Sequence, residues 1–297
     1  MDGILIVDKP DGMTSHDVVA AVRRVLNTKK VGHTGTLDPF ATGVMVVLVG
    51  RATRLAQFLD RDEKEYEAVV QLGFETDTGD RTGTPRPNQF VGDETAREID
   101  WEGVLEHFRG PLTQTPPMYS AKKIGGRRLY EMARKGEHVD RPAVNIEITE
   151  LELLDCPPDA MPPAIHIRVV CSAGTYIRTL AEDIGRKARI GAHLAELKRT
   201  RAGKFDLSQS VTLEALTTSP EPASSLRPIH EAVSHLPTFL VPPDRTAKTV
   251  NGMSTRVGDV NFSGGEAIQM LAPGGELLAI GFYDERESAI QPRVVLV

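Results

Sequence analysis

Hydrophobic and polar residues at the start of the chain follow first the period of a strand and then that of a helix. An apolar run at residues 4–7 predicts a buried strand, which ends at the turn residues 8–12. Thr14 and Ser15 then offer an N-cap to a helix over residues 16–26, because valines recur there on one helical face.

The pattern that follows predicts both kinds of element up to about residue 200. We predict strands over residues 44–49, 66–72, 144–154 and 165–170, and helices over residues 53–59, 93–108, 129–135, 175–187 and 192–199. A segment rich in Gly, Thr, Asp and Pro at residues 75–88 predicts a loop. Because strands and helices are mixed along the chain, we predict an α+β fold.

The last part of the chain has a different pattern. Prolines at and around Pro237 indicate an exposed connection, and the residues beyond it predict short strands at 267–271, 277–283 and 292–297, separated by Gly-rich turns. We therefore predict a first domain over residues 1–237 and a small β-rich domain over residues 238–297.

Composition narrows the class of protein. The chain has 297 residues, of which 40% are hydrophobic and 26% charged, as is usual for a globular protein. No apolar run reaches the roughly 18–20 residues that cross a bilayer, and the first residues do not resemble a signal peptide. Cys156 and Cys171 cannot form a disulfide framework or a multi-thiolate metal site. We expect a cytoplasmic protein without a bound metal.

The most informative segment is the Gly-rich stretch at residues 32–43, which holds Asp38 just before the buried strand at 44–49. Its glycines let the backbone turn sharply, and Pro39 restricts the chain after the carboxylate. Two interpretations remain open on these residues alone. A rigid loop can hold Asp38 for catalysis, or the Asp-Pro pair can form a turn whose side chain caps local N–H groups.

Residues 32–43 resemble the signature of the pseudouridine synthases that modify uridine 55 in the T-loop of transfer RNA. Further segments similar to motifs of that family follow the family's order, at residues 8–15, 64–66, 174–180 and 197–203. The resemblance covers about residues 4–205. It implies a mixed-sheet catalytic domain with flanking helices, an insertion at about residues 116–141 that clasps the RNA, and a small C-terminal domain of the PUA-like type.

The resemblance also implies roles for single residues. Asp38 becomes the catalytic carboxylate, and Arg178 the cation that pairs with it and keeps it ionised. Tyr66 stacks on the target base, and its phenol is able to help move a proton from C5. Without the resemblance, Tyr66 is read as core packing and Arg178 as a charge on a helix surface.

Other residues have supporting roles by the same resemblance. Leu197 lines the uracil pocket, and Tyr176 binds the base or packs behind the site. His33 fills the space that flipped T-loop nucleotides leave, which recovers part of the cost of unstacking. Lys9 and Pro10 support the loop beside the site.

Charge is segregated along the chain. The net charge of −6 argues at first against an RNA partner, because phosphate binding requires Lys and Arg. Residues 119–141, however, contain seven basic residues against three acidic ones, and residues 178–204 contain eight against three. In the first segment we predict phosphate contacts for Lys122, Lys123, Arg127 and Arg128. From Pro242 onward five basic residues face seven acidic ones, which leaves an RNA role of the C-terminal domain in doubt.

The resemblance implies a cofactor-independent isomerase that converts uridine 55 in the T-arm of tRNA to pseudouridine. We further expect a monomer that needs no protein partner. Two alternatives stay open, a non-catalytic RNA-binding protein and the same chemistry within a guide-RNA particle. The first would bind tRNA without forming new pseudouridine. Against the second, the chain lacks a long Lys-rich tail.

Overall fold

The structure is a computed structural model that describes all residues except 60–61, 87–97, 121, 134, 138, 158–161, 259 and 297. Its α-helices are α1 (Ser15–Val25), α2 (Ala56–Leu59), α3 (Trp101–Glu106), α4 (Leu129–Ala133), α5 (Ile177–Lys187), α6 (Leu213–Thr218) and α7 (Thr246–Val250). Short 3-10 helices lie at Gly50–Leu55, Leu207–Gln209, Pro222–Ser225, Ile229–Val233 and Pro243–Arg245.

The strands of the first two-thirds of the chain are β1 (Gly3–Lys9), β2 (Val31–Thr34), β3 (Thr42–Val49), β4 (Lys64–Leu72), β5 (Gly110–Gln114), β6 (Lys123–Ile124), β7 (Arg127–Arg128), β8 (Val144–Asp155), β9 (Ala164–Cys171) and β10 (Ala192–Ala202). Those of the last third are β11 (Phe205–Asp206), β12 (Val211–Thr212), β13 (Thr238–Leu240), β14 (Thr255–Arg256), β15 (Ala267–Leu271), β16 (Leu277–Asp284) and β17 (Ala289–Val295). The mixture of helices with large sheets confirms the predicted α+β class.

A mixed sheet forms the centre of the molecule, in the order β12-β1-β3-β10-β4-β9-β8-β5. Most neighbours are antiparallel, but β10 runs parallel to β3 and pairs with it only at the start of β3. Further along the same edge, β2 pairs with β3. One edge of β3 is therefore shared by two strands, and the loop that joins β2 to β3 lies at the place where they meet.

Apolar side chains fill both sides of this sheet. On one side α5 packs against the central strands through Ile177, Leu180 and Ile184, in a core that also contains Tyr66 and Leu197. This helix is amphipathic, as its sequence predicts, and it begins at Ile177, two residues after the predicted start. Packing of α5 against β4 and β10 brings the first turn of the helix to the loop after β2.

The C-terminal residues form a second sheet in the order β13-β15-β16-β17-β14, which begins at Thr238. Leu277 and Ile280 of this sheet share a core with Ile4 and Val46 of the first sheet, so the two sheets pack together. The predicted strand at 267–271 is confirmed, whereas the last strand begins at Ala289 and not at residue 292. The division into domains 1–237 and 238–297 stays a prediction.

Residues 192–199 form the central strand β10. The helix predicted for them is wrong. Leu194 and Leu197 are both buried at helical spacing, because a β-bulge between Leu194 and Glu196 shifts the alternation of the strand. Alanine, leucine and glutamate also favour helices, and pairing with β4 on one side and β3 on the other overrides that preference.

The other differences between predicted and observed elements are smaller. The predicted helix at 53–59 is a 3-10 helix at Gly50–Leu55 followed by the single turn α2. Of the predicted helix at 93–108, residues 93–97 lie outside the described residues, and α3 covers Trp101–Glu106. Strands β2 and β5 were not predicted, and Pro111 within β5 is tolerated because β5 lies at the edge of the sheet.

Candidate active site

Asp38 lies in the loop between β2 and β3, where its side chain is 31% exposed. Arg178, in the first turn of α5, approaches it with two nitrogens. Nε lies 2.9 Å from Oδ2, and Nη2 donates a hydrogen bond to Oδ1 at 3.1 Å. This side-by-side arrangement of guanidinium and carboxylate fixes the direction of Asp38 as well as its charge. Residues 140 positions apart in the chain thus form one pair.

The loop that carries Asp38 is held by residues of the first motif. Ser15 Oγ accepts a hydrogen bond from the Leu37 N–H at 2.9 Å and donates to the Leu37 carbonyl at 3.1 Å. The Pro39 carbonyl accepts from the Gly12 N–H at 2.9 Å and from Lys9 Nζ at 3.0 Å. Because these bonds flank Asp38 on both sides, they restrict the movement of its backbone.

Lys9 has an environment unusual for a lysine. It is fully buried, and its Nζ also donates to the Pro10 carbonyl at 2.8 Å. Burial lowers the pKa of Lys9 to about 8, against the opposing effect of the Asp11 and Asp38 carboxylates. The contacts agree with the interpretation of Lys9 and Pro10 as support for the loop.

The lowered pKa of Lys9 predicts a pH effect on stability. Below pH 8 the ammonium is charged in both states and its burial is a cost, whereas between pH 8 and 10.5 only the unfolded chain keeps the proton. The free energy of unfolding of the wild type, relative to Lys9→Met, should therefore rise by about 2–3 kcal/mol across this range. Denaturant titrations of both proteins at pH 7.5 and pH 10 measure it, and a constant difference would contradict it.

Arg178 has a second carboxylate partner, which the sequence analysis missed. Its Nη1 lies 3.5 Å from Oδ2 of Asp80, a buried residue in the loop that follows β4. Asp80 is itself held through Oδ1, which accepts from Thr82 Oγ1 at 2.6 Å and from Thr78 Oγ1 at 2.9 Å. The remaining donors of Arg178 reach the carbonyls of Thr78 and Tyr119.

The only sign of Asp80 in the sequence is its position between threonines in a predicted loop, which is equally typical of an ordinary turn. Arg178 is 6% exposed, and it serves both carboxylates. Burial raises the pKa of Asp38, Arg178 opposes this rise, and the negative charge of Asp80 adds to it. The balance between one cation and two anions therefore controls how readily Asp38 ionises.

Replacement of Asp80 by asparagine tests this network. Asparagine can still accept hydrogen bonds from Thr78 and Thr82, but it removes the charge opposite Arg178, so the guanidinium is held less firmly. We expect catalytic turnover to fall about 10- to 100-fold, since residues in one salt-bridge network are coupled by up to roughly 3 kcal/mol. Single-turnover rates of wild type and variant measure this effect. A rate equal to that of the wild type would show that Asp80 only stabilises its own loop.

A cavity of about 290 Å³ opens beside Asp38. Its wall includes Tyr66, Tyr176, Leu197 and Lys122, together with Arg178. This volume is at the lower limit of small-molecule pockets. The structure thus brings four residues implied by the resemblance to one cavity beside Asp38, namely Tyr66, Tyr176, Arg178 and Leu197.

The two tyrosines enter the cavity wall in different ways. Tyr66 points inward from β4 and is buried, so burial raises the pKa of its phenol. Tyr176 precedes α5, and its backbone is held by Gln114, whose Oε1 accepts from the Tyr176 N–H at 2.9 Å and whose Nε2 donates to its carbonyl at 3.2 Å. Gln114 belongs to β5, so this edge strand helps to place the start of α5.

Arg199 is a further residue of the wall that the sequence analysis did not single out. It is 1% exposed, and it donates from Nε to the Val44 carbonyl at 2.7 Å and from Nη2 to the Gly35 carbonyl at 2.9 Å. These carbonyls lie at the two ends of the loop that carries Asp38. Its position in the motif at 197–203 was the only signal in the sequence.

His33 lies on β2 opposite Val47 and is half-buried. It is not among the residues that line the cavity within the described part of the chain. Although β2 leads directly into the Asp38 loop, the role of His33 beside the flipped nucleotides stays a prediction.

The four predicted phosphate contacts lie on or beside the hairpin of β6 and β7, whose turn contains Gly125 and Gly126 at positive φ. Lys122 faces the cavity and Lys123 is exposed. The two arginines have partners within the protein. Arg127 forms a bidentate ion pair with Glu137 at 2.8 and 2.9 Å, and Arg128 Nη1 donates to the Tyr130 hydroxyl at 2.9 Å.

Other kinds of site find little support among the described residues. Within them, no group of three or more His, Cys, Asp or Glu side chains is placed to hold a metal ion. Cys156 and Cys171 are both free thiols. None of the helices in the described ranges is long and apolar enough to cross a membrane.

The mixed sheet and the site beside Asp38 agree with two matches to families of pseudouridylate synthases. Residues 23–177 match the family described as TruB family pseudouridylate synthase (N terminal domain), and residues 178–234 match tRNA pseudouridylate synthase B C-terminal domain. This chain belongs to the TruB family of pseudouridylate synthases.

Relatives with assigned names agree with this membership. The chain is 46% identical to tRNA pseudouridine synthase B of Symbiobacterium thermophilum over 86% of this chain and 84% of the relative. It is 42% identical to the protein of that name from Heliobacterium modesticaldum over 99% and 95%. Among solved structures, a Cbf5-Nop10-Gar1 complex contains a chain that matches with a TM-score of 0.74 at 27% identity, over 99% of this chain and 85% of that one.

Proposed function

We propose that this chain converts uridine 55 in the T-loop of tRNA to pseudouridine. The observation that carries the proposal is the Asp38–Arg178 pair at the mouth of a cavity of about 290 Å³ whose wall contains Tyr66 and Tyr176. Membership of the family and relatives named tRNA pseudouridine synthase B support the substrate and the reaction.

The reaction breaks the N-glycosidic bond, turns the uracil and rejoins it to the ribose through C5. Since substrate and product are isomers, the conversion needs no electron donor and no group carrier. Asp38 is the carboxylate that acts as nucleophile or base, and Arg178 favours its ionised form by opposing the burial that raises its pKa. We therefore propose an isomerase that works without a cofactor.

The target uridine is stacked inside a folded RNA loop and has to be flipped out before it can reach Asp38. Tyr66 offers an aromatic face to the flipped base, Leu197 offers an apolar wall, and Tyr176 bounds the cavity at the start of α5. His33 fills the space that the flipped nucleotides leave.

The hairpin of β6 and β7 supplies the phosphate contacts. We infer that Lys122 and Lys123 contact the RNA backbone directly, whereas Arg127 and Arg128 exchange their partners Glu137 and Tyr130 for phosphate oxygens. The hairpin belongs to the insertion at about 116–141, which closes over the T-arm. The acidic C-terminal domain adds little to RNA affinity.

We further propose that the chain acts as a monomer in the cytoplasm, where tRNA is processed, and that it needs no protein partner. The solved relative in the Cbf5-Nop10-Gar1 complex is bound to other proteins.

The test is incubation of the purified chain with an unmodified tRNA transcript, followed by site-resolved mapping of pseudouridine. Product at the T-loop uridine is the expected result. Binding of the tRNA without product would favour a non-catalytic RNA-binding protein, and a requirement for a guide RNA or an added protein would favour a guide-RNA particle. Product in ribosomal RNA only would overturn the substrate but not the chemistry.

A further inference from the structure

Arg199 is a buried cation beside the active site whose hydrogen-bond partners are carbonyl groups. Val44 and Gly35 accept its hydrogen bonds at 2.7 and 2.9 Å. Within the described residues it forms no ion pair with a carboxylate, unlike Arg178, which has two. A buried charge is costly unless it is compensated. The positive charge of Arg199 is therefore available to a negative charge that forms in the cavity.

Tyr66 is the group best placed to carry that negative charge. Arg199 on β10 stands directly opposite Tyr66 on β4 in the antiparallel register. Side chains at opposite positions of such a pair start about 4.5–5.5 Å apart and share one face of the sheet. Arg199 and Tyr66 both line the cavity that holds Asp38, and the guanidinium interacts with the phenol oxygen.

The same side chain also holds the Asp38 loop at both ends. Gly35 has φ +67°, and a Cβ at this position would lie 3.1 Å from Nη1 of Arg199. Gly43 has φ +99°, and a Cβ there would lie 2.2 Å from the Arg199 carbonyl oxygen, which no side chain tolerates. Glycine at both positions lets the loop approach Arg199 this closely. A shift of Arg199 would therefore move the loop that carries Asp38 and also change the surroundings of Tyr66.

Other charged and titratable groups around Tyr66 do not replace Arg199. Cys171 from β9 and Asp38 from the loop both disfavour the ionised phenol. Lys64 on the same strand, Lys122 of the hairpin and Arg178 of α5 line the cavity as well. Burial raises the pKa of Tyr66, and the Arg199 guanidinium, from its position across the strands, opposes that rise.

We propose that Arg199 is a positioning residue that acts through Tyr66, by holding the phenol oxygen and stabilising its ionised form during removal of the C5 proton. This inference rests on the proposed function. After C5 has joined the ribose, the ionised oxygen takes the proton from C5. The C–H electron pair forms the C5=C6 double bond, the N1=C6 pair moves to N1, and N1 gains a proton from solvent. The phenol returns its proton to solvent, so atoms and charge balance.

A double-mutant cycle tests this link. The four proteins are the wild type, Arg199→Gln, Tyr66→Phe and the double variant, and the measurement is the single-turnover rate of pseudouridine formation on an unmodified tRNA transcript. Arg199→Gln should slow the wild type about 10- to 100-fold. In the Tyr66→Phe background the same change should have a clearly smaller effect, because only the hold of Arg199 on the Asp38 loop is then lost.

The pH profile gives a readout that a purely structural role would not move. A nearby cation favours the phenolate, and the rate rises as the phenol ionises, so loss of Arg199 should move this rising part of the rate profile to higher pH. Arg199→Lys keeps the charge and should restore most of the wild-type profile. Arg201→Gln is the matched control, since Arg201 lies on the same strand but pairs with Glu63 and Glu65, and its rate should equal that of the wild type.

Equal slowing by Arg199→Gln in both backgrounds would overturn the inference, as would a folded Arg199→Gln protein with the wild-type rate and pH profile. Circular dichroism and thermal unfolding establish the fold of each variant. If Arg199→Gln does not fold, the neutral variant Arg199→Met, which keeps the length of the side chain, carries the same comparison in both backgrounds. A wild type without activity on tRNA would refute the proposed function instead, so the two failures are distinct.

Discussion

Replacement of Asp38 by alanine is expected to abolish pseudouridine formation, with a rate below about 10⁻⁴ of the wild type. Asp38 is the carboxylate that Arg178 presents to the cavity, and the change leaves the cavity without a nucleophile or base at this position. The fold and most of the RNA affinity should persist, because the loop is held by Ser15, Gly12 and Lys9 through backbone groups.

The measurement combines single-turnover kinetics with a binding titration of unmodified tRNA. Asp77→Ala is the matched control, because Asp77 is an exposed carboxylate in the loop after β4 that accepts a hydrogen bond from the Thr84 N–H. This control should keep the wild-type rate. An active Asp38→Ala protein would rule out the proposed mechanism, whereas loss of binding together with activity would assign Asp38 a role in RNA recognition.

Replacement of Arg178 by methionine is the second change with a large expected effect, a fall of about 10³-fold in rate at pH 7. Without the guanidinium, Asp38 and Asp80 face each other across a buried site, and the pKa of Asp38 rises further above its usual range. A larger fraction of Asp38 is then protonated and unreactive. Removal of one partner from a buried ion pair also lowers the free energy of unfolding by about 3–5 kcal/mol.

The sign of the pH dependence separates the electrostatic effect from a loss of fold. A carboxyl group with a raised pKa ionises only at higher pH, so the residual rate of Arg178→Met should increase with pH over a range where the wild type is constant. Arg178→Lys keeps the charge but not the paired hydrogen bonds, and should lose only about 10- to 100-fold. A residual rate that does not depend on pH would indicate that Arg178 acts only in packing.

Local patterns in the sequence predicted much of the fold. The N-cap at Thr14 and the valines that follow it predicted α1, and the apolar runs predicted β1 and β3. In these segments a single period is unbroken, so local preference and burial point to the same element. Strand β10 was predicted as a helix because a β-bulge shifts the alternation of its buried residues.

For the candidate site, short motifs predicted the residues, and the structure decided which of them lie together. Residues 32–43 alone left a catalytic loop and an Asp-Pro turn open for Asp38, and the family resemblance assigned its role together with those of Tyr66, Tyr176, Arg178 and Leu197. The structure places these four around the cavity beside Asp38. Their roles stay predictions until the variants are measured.

The sequence by itself determined the family resemblance, the α+β class and the residue types of the site, because these depend on neighbours within a few positions of the chain. Only the tertiary structure decided that Asp80 shares Arg178 with Asp38, and that Arg199 stands opposite Tyr66. Both contacts join residues about 100 or more positions apart, through strand pairing and a helix start. The net charge of −6 does not indicate where Arg178 or Arg199 lies, since a whole-chain sum does not depend on the position of each charge in space.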